Sequence, residues 1–319
     1  KINQTLSSSQ KICSDEEPVA EKNTVTCDQE SKIPIFQDDK VMEMSLTSAM
    51  FNDGVMKKGK SLSEVKNRKS GILTMTWNDE SRGMYVDLEP RGAYRAEFCK
   101  FKPLKMYFMK SQKGTPFAHA DSDMKLVTHC VDDPKDPSVL EKANQRVLAE
   151  YEMYKAIELS GLPHFKTRLV KMKYFDEGGA LKAEAYSLLL ESKEDLAKRC
   201  HFPKQEEKGF FAKRFNRYPR FSKSMELYIS EQLILNKDYH PDGSHNVTVL
   251  RDENKNTLSV PYDFDLSSLV YDKDNGEIIG REGGRPEWDG TTEDKKFLDD
   301  FDGYAGKRNR AKAKETILA

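Results

Sequence analysis

Apolar and polar residues alternate in short runs between residues 41 and 130. Gly71 to Trp77 (GILTMTW), Gly83 to Leu88, Leu104 to Met109 (LKMYFM) and Met124 to His129 (MKLVTH) are set apart by charged turns. Each follows the period-two pattern of a half-buried strand, and an antiparallel sheet is the expected assembly. The period then changes. Residues 138–160 contain neither Gly nor Pro, and Val147, Tyr154 and Ile157 recur at helical spacing. This predicts one long helix, closed by Gly161 and Pro163. Two more strands are expected at Thr167 to Tyr174 and Ala183 to Leu190. The turn at Glu177 to Gly179 divides them, and a break follows at Glu191-Ser192.

Beyond the break the pattern turns more helical. Glu194 to Cys200 reads as a short helix, and residues 222–236 carry an amphipathic stripe through Met225, Tyr228, Ile229 and Leu233. Two apolar runs follow, Val247 to Leu250 and one ending in Tyr262-Asp263-Phe264-Asp265, joined by a turn at Asp252 to Asn256. A Gly-rich loop (GREGGRPEWDG) and a charged, helical stretch from about residue 293 complete the chain. The expectation is an α+β protein of two lobes. Residues 1–40 form a flexible polar leader, 41–191 an antiparallel-sheet lobe with one long helix, and 192–319 a mainly helical lobe.

Composition narrows the classes. With 319 residues, 33% charged and a net charge of −1, the chain has no overall attraction for nucleic acid or anionic membranes. No apolar run approaches the roughly 20 residues of a membrane span. The basic and aromatic residues Phe210, Phe211, Arg214, Phe215, Arg217, Tyr218 and Arg220 read as a solvated helix before they read as a nucleic-acid surface. Five cysteines without a CxxC spacing make a zinc site a poor reading. A Cys99–Cys130 disulfide would suit an exported protein, periplasmic or secreted, as would a first residue that is Lys rather than Met. Two buried thiols in a cytoplasmic protein suit the sequence equally well.

The richest chemistry lies between Asn236 and Asp265. A polar loop carries Asn236-Lys237-Asp238 and His245-Asn246, a strand, turn and strand follow, and the segment ends in Asp263-Phe264-Asp265. Phosphoryl transfer needs these residue types: a carboxylate to orient a hydroxyl, then an amide oxygen and a carboxylate to hold magnesium on phosphates. The segment resembles the catalytic core of atypical kinases, in the style of the spore-coat and HipA-type toxin kinases. Lys-Leu-Val-Thr-His-Cys at 125–130 is similar to segments of bacterial exported proteins. The motif resemblance covers residues 236–265, and a looser likeness of element order extends over 70–270.

The resemblance implies a two-lobed kinase-like fold, ATP and magnesium (or manganese) as cofactors, and a hydroxyl-bearing acceptor. Asp238 would orient that acceptor. Asn246 and Asp263 would ligate metal, and Asp265 would assist or stand where Gly is usual. Lys125, on the strand before the long helix, would neutralise phosphate charge, braced by Glu150 on the helix's apolar stripe. Lys105 and Glu152 are the alternatives. Several features depart from the family. GxGxxG is missing, with Arg91-Gly92 and Arg95 a weak substitute, and the Asp238–Asn246 gap is longer than usual. His240 and His245 would organise the loop. Asn246-Val247-Thr248 is also a glycosylation sequon. Two other functions fit the same residues: a non-catalytic, metal-stiffened scaffold, and a nucleotidyl transferase moving AMP.

Overall fold

The computed structural model describes Cys27 and residues 30–52, 62–65, 67–92, 99–108, 112–128, 136–202, 204–205, 246–253 and 257–265. All lie in the first of the chain's two units, Lys1–Tyr271; the second, Asp272–Ala319, contains none of them.

Seven strands close into a barrel: β1 (Met42–Ser48), β2 (Lys69–Trp77), β3 (Glu80–Pro90), β4 (Leu104–Phe108), β5 (Asp123–Val127), β6 (Thr167–Phe175) and β7 (Leu181–Leu190). Their order around the barrel is β1-β2-β3-β4-β5-β7-β6. The β2–β3 hairpin turns through Asn78 and Asp79, both at positive φ (51° and 61°), as a tight two-residue turn matching the strand twist requires. Neighbouring strands run antiparallel except at the closure, where β1 and β6 pair in parallel from Met42 opposite Val170 to Thr47 opposite Phe175. Alternation along the strands sends Leu46, Leu73, Val86, Leu88, Met106, Met124, Leu126 and Val170 into one buried cluster.

A second core lies against the outer wall of the barrel. Helix α1 (Leu62–Val65) is a single turn, whereas α2 (Pro137–Leu159) is the long helix of the pattern. Asp136 caps α2 by accepting from the Ser138 N–H, and Pro137 opens it. Val147, Tyr154 and Ile157 of α2 pack with Val127, Leu169, Leu188 and Leu190 of the barrel strands. Helix α3 (Lys193–Arg199) adds Leu196 and Ala197 to the same cluster. A three-stranded antiparallel sheet adds Leu250, Leu258 and Val260; it runs β10 (Thr257–Pro261), β9 (Val247–Arg251), β8 (Lys204–Gln205). This double coverage explains why the last four residues of β7 are all buried rather than alternating. Among the described residues, no helix is long and apolar enough to cross a membrane.

The fold corrects the two-lobed, kinase-like α+β expectation. The described chain is mostly strand and is built around a closed barrel, not an open antiparallel sheet facing a helical lobe. Period-two patterning locates strands but carries no information on whether a sheet's edges meet, and that closure depends on β1, which the reading of residues 41–130 did not single out. Beyond residue 192, where a helical lobe was expected, the described residues form α3 and the small sheet. The helix expected over 222–236, the basic run at 210–220 and the stretch after 293 lie outside the described residues. Part of the expected leader belongs to the fold. Ile33, Ile35 and Phe36 are buried in the barrel cluster, and Cys27 is bonded to Cys200. Cys99 is disulfide-bonded as well, while Cys130 lies outside the described residues.

Candidate functional site

The site is built where β5, α2, α3 and the end of β10 meet at the rim of the second core. Lys125 is in the middle of β5, and its outward face is that of Val127, which belongs to the second core. Its ammonium lies 4.7 Å from the ring centroid of Tyr262 and 5.3 Å from that of Phe165. Burial drives the Lys125 pKa well below the usual lysine range, and the Arg91 and Lys193 charges lower it further. Asp263 opposes the shift. Lys105 faces Lys125 across the β4–β5 ladder, but its ammonium is held by Asp123 at 2.8 Å.

Asp263 stands two residues beyond the end of β10. The Tyr262 N–H donates to the Asn246 carbonyl at 2.9 Å, so Asn246 and Tyr262 continue the β9–β10 pairing by one step. Asn246 and Asp263 both have positive φ, 54° and 67°. Asn and Asp tolerate this region better than other side chains, and such residues gather at functional sites. The Asp263 N–H donates to the Tyr154 hydroxyl at 3.0 Å, and the Tyr154 ring meets Phe264 edge-on at 4.7 Å. Tyr154 is completely buried in α2. Its phenol is held well above the usual tyrosine range, first by burial and then by the Glu150 and Asp263 charges. It therefore stays a neutral hydroxyl that can accept from the Asp263 peptide.

Glu150 is buried, one helical turn before Tyr154, on the stripe where the sequence places it. Asp263 is a carboxylate that acts on Lys125, and Glu150 acts on Tyr154. Glu150 thus adjoins the site through Tyr154. Glu152 lies in the same helix, outside its buried stripe. Asp265 is half-buried two residues beyond Asp263. The strand ends at Pro261 and Asp263 is left-handed, so strand alternation does not align these two carboxylates. Asn246 and Thr248 are buried, which closes the sequon to a glycan. Asp238, His240, His245 and Arg95 lie outside the described residues.

Two participants were not legible in the sequence. Lys193 opens α3, where Ser192 caps the helix, and its ammonium lies 5.1 Å from the Tyr262 centroid. Tyr154 read as a core residue of the helical stripe; only its contact with Asp263 reveals the polar role. Arg91, considered for phosphates as part of Arg91-Gly92, directly follows β3, and its N–H is pinned by the Pro103 carbonyl at 2.9 Å.

No family model matches the chain, and neither a curated protein nor a solved structure was found to resemble it. Among the described residues, no three His, Cys, Asp or Glu side chains are grouped as a metal site. The donors on this edge are an amide and carboxylates, all hard oxygens. That set suits magnesium, which commonly takes one or two protein carboxylates and completes its shell with water and substrate phosphates.

Proposed function

We propose that this chain is an ATP- and magnesium-dependent phosphotransferase that moves the γ-phosphoryl group to a hydroxyl on a protein or small molecule. The supporting observation is that the Lys125 and Lys193 ammonium groups lie 4.7 and 5.1 Å from the centroid of one ring, Tyr262, whose neighbour in the chain is Asp263. Two lysines gathered on one ring at the border of the core suit an anionic ligand, whose charge would favour the protonated form of Lys125. In this reading Lys125 binds and orients phosphate oxygens. Asn246 and Asp263 hold magnesium, with Asp265 in reserve, and the metal supplies charge neutralisation on the phosphates. Tyr154 fixes the Asp263 peptide, and Glu150 supports it as a positioning residue. Asp238 is assigned the acceptor hydroxyl. Catalysis by such a set is positioning and electrostatics.

Incubation with magnesium and ATP labelled at the γ or the α position tests this. We expect γ label to be transferred or released by the wild type, and Asp263→Ala to abolish it. Transfer of α label would mean nucleotidyl transfer. Turnover of neither would leave a non-catalytic scaffold and overturn the proposal.

A further inference from the structure

Lys125 differs from the lysines around it in what surrounds its amine. Lys105, its register partner on β4, is held by Asp123 at 2.8 Å. Lys155, Lys171 and Lys198 are held by carboxylates at 2.7, 2.9 and 3.0 Å. The Lys125 Nζ makes no hydrogen bond or ion pair with the described residues. Its neighbours are rings, Tyr262 at 4.7 Å and Phe165 at 5.3 Å, which meet edge-on at 5.9 Å. The residue is half-buried, and Nζ is not among the sealed side-chain atoms that lack a partner, so a small molecule can reach it. Aromatic faces attract an ammonium by about 0.5–2 kcal/mol, but they replace none of the hydrogen bonds it loses with water. Burial therefore prevails, and the amine gives up its proton well below the usual lysine range. Of the charges that bear on it, Arg91, Lys193 and Lys105 act in the same direction and Asp263 against; the Tyr262 phenol, raised by its own burial, is uncharged.

We infer that Lys125, reachable between two rings and without a carboxylate partner, is a nucleophilic amine that forms an imine with a small aldehyde. A lysine desolvated among apolar groups is one of the standard activated nucleophiles toward carbonyls. The amine lone pair attacks the carbonyl carbon and a C–N bond forms. The resulting carbinolamine then loses water: the carbonyl oxygen leaves with the two amine hydrogens, and a C=N bond remains. No oxidant or reductant is consumed. The faces of Tyr262 and Phe165 suit an uncharged aldehyde with a short apolar tail. The inference goes beyond the phosphotransferase reading and does not rest on it, because the imine needs the unprotonated amine and no nucleotide.

The test is reductive trapping of the full chain with propionaldehyde and sodium cyanoborohydride at neutral pH, followed by peptide mass spectrometry. Each unit by which a lysine pKa falls raises its neutral fraction about tenfold there, so Lys125 should carry at least about tenfold more label than Lys105. Its labelling rate should also level off at a lower pH than that of Lys105. Unfolding in guanidinium chloride should erase the preference, because the rings come from parts of the chain distant from Lys125. Lys125→Met should remove this label and leave that on Lys105. Circular dichroism melting shows whether the variant keeps its fold, and the wild-type comparison stands without it. Equal labelling of Lys125 and Lys105 in the folded chain, or a preference that survives unfolding, would overturn the inference. Transfer of γ label from ATP judges the phosphotransferase reading separately.

Discussion

At the scale of single residues, Tyr154 and Asp195 carry the sharpest expectations. Tyr154→Phe keeps the ring contact with Phe264 but deletes the oxygen that accepts from the Asp263 N–H. Loss of one such bond costs about 1 kcal/mol. The melting temperature should fall by a few degrees and ATP turnover should fall further, because Asp263 loses the anchor of its left-handed backbone. Turnover equal to wild type would show that the hydroxyl does not set this geometry. Asp195 is buried in α3, accepts from the Ser192 hydroxyl at 2.8 Å, and receives the Asp121 N–H on both oxygens at 3.1 Å. Burial is the main reason its pKa rises from 3.8 to about 6. A raised carboxyl pKa means the folded state holds its proton after the unfolded chain has lost it. This group's contribution is therefore most favourable below pH 3.8 and diminishes up to about pH 6, by a total of about 3 kcal/mol. Asp195→Asn should gain stability relative to wild type across that window and hold the gain above it. Urea denaturation of both proteins at several pH values reads the difference directly. A difference that does not change with pH would refute the assignment.

At the scale of elements, the start of the described chain and the end of α3 are tied by an ionic and covalent clasp. Cys27 is bonded to Cys200 across a separation of 173 residues. Next to it the Arg199 guanidinium donates to both oxygens of Glu191 at 2.9 and 2.8 Å, and to the carbonyls of His164 and Cys27. Glu191 also accepts from the Lys166 N–H at 3.0 Å. All of this guanidinium's nitrogens are used, which a buried charge requires. Closing so long a loop restricts the unfolded chain, a stabilisation on the order of 4–5 kcal/mol in the chain-entropy model. The double variant Cys27→Ser/Cys200→Ser should lose a sizeable part of that in urea denaturation. Coincident unfolding curves would show that the Arg199 network holds the clasp by itself.

At the scale of the molecule, the patterning marked where strands and the long helix lie, because each element buries one face and its period follows from that. It did not mark how they join. β1 alternates Met44 and Leu46 like its neighbours, but its role is set by β6, far along the chain. The apolar run Ile33-Pro34-Ile35-Phe36 was a legible signal of burial inside a polar leader, and averaging over residues 1–40 hid it. Lys125, Glu150, Asn246 and Asp263 were named from residue type and order; Lys125 and the Asn246 carbonyl adjoin Tyr262, and the Asp263 N–H adjoins Tyr154, one helical turn from Glu150. Lys193 was not, since its reach depends on how α3 sits against the barrel.

The parallel seam between β1 and β6 has a consequence for the order of events during synthesis. The first barrel strand leaves the ribosome without its second neighbour; the ring shuts only after β7 is complete at Leu190, and β1 gains that neighbour only once β6 is complete at Phe175. Until then β1 pairs only with β2, and its other flank is a bare row of amides and carbonyls, the kind of edge that recruits foreign strands. Pairings so distant in sequence also form slowly. A chain cut short before β6, or lacking residues up to Ser48, should therefore associate with itself where the intact protein does not. Light scattering of the two truncated forms would register the difference, and the cell that makes this protein must shelter an open sheet until the last barrel strand has been made.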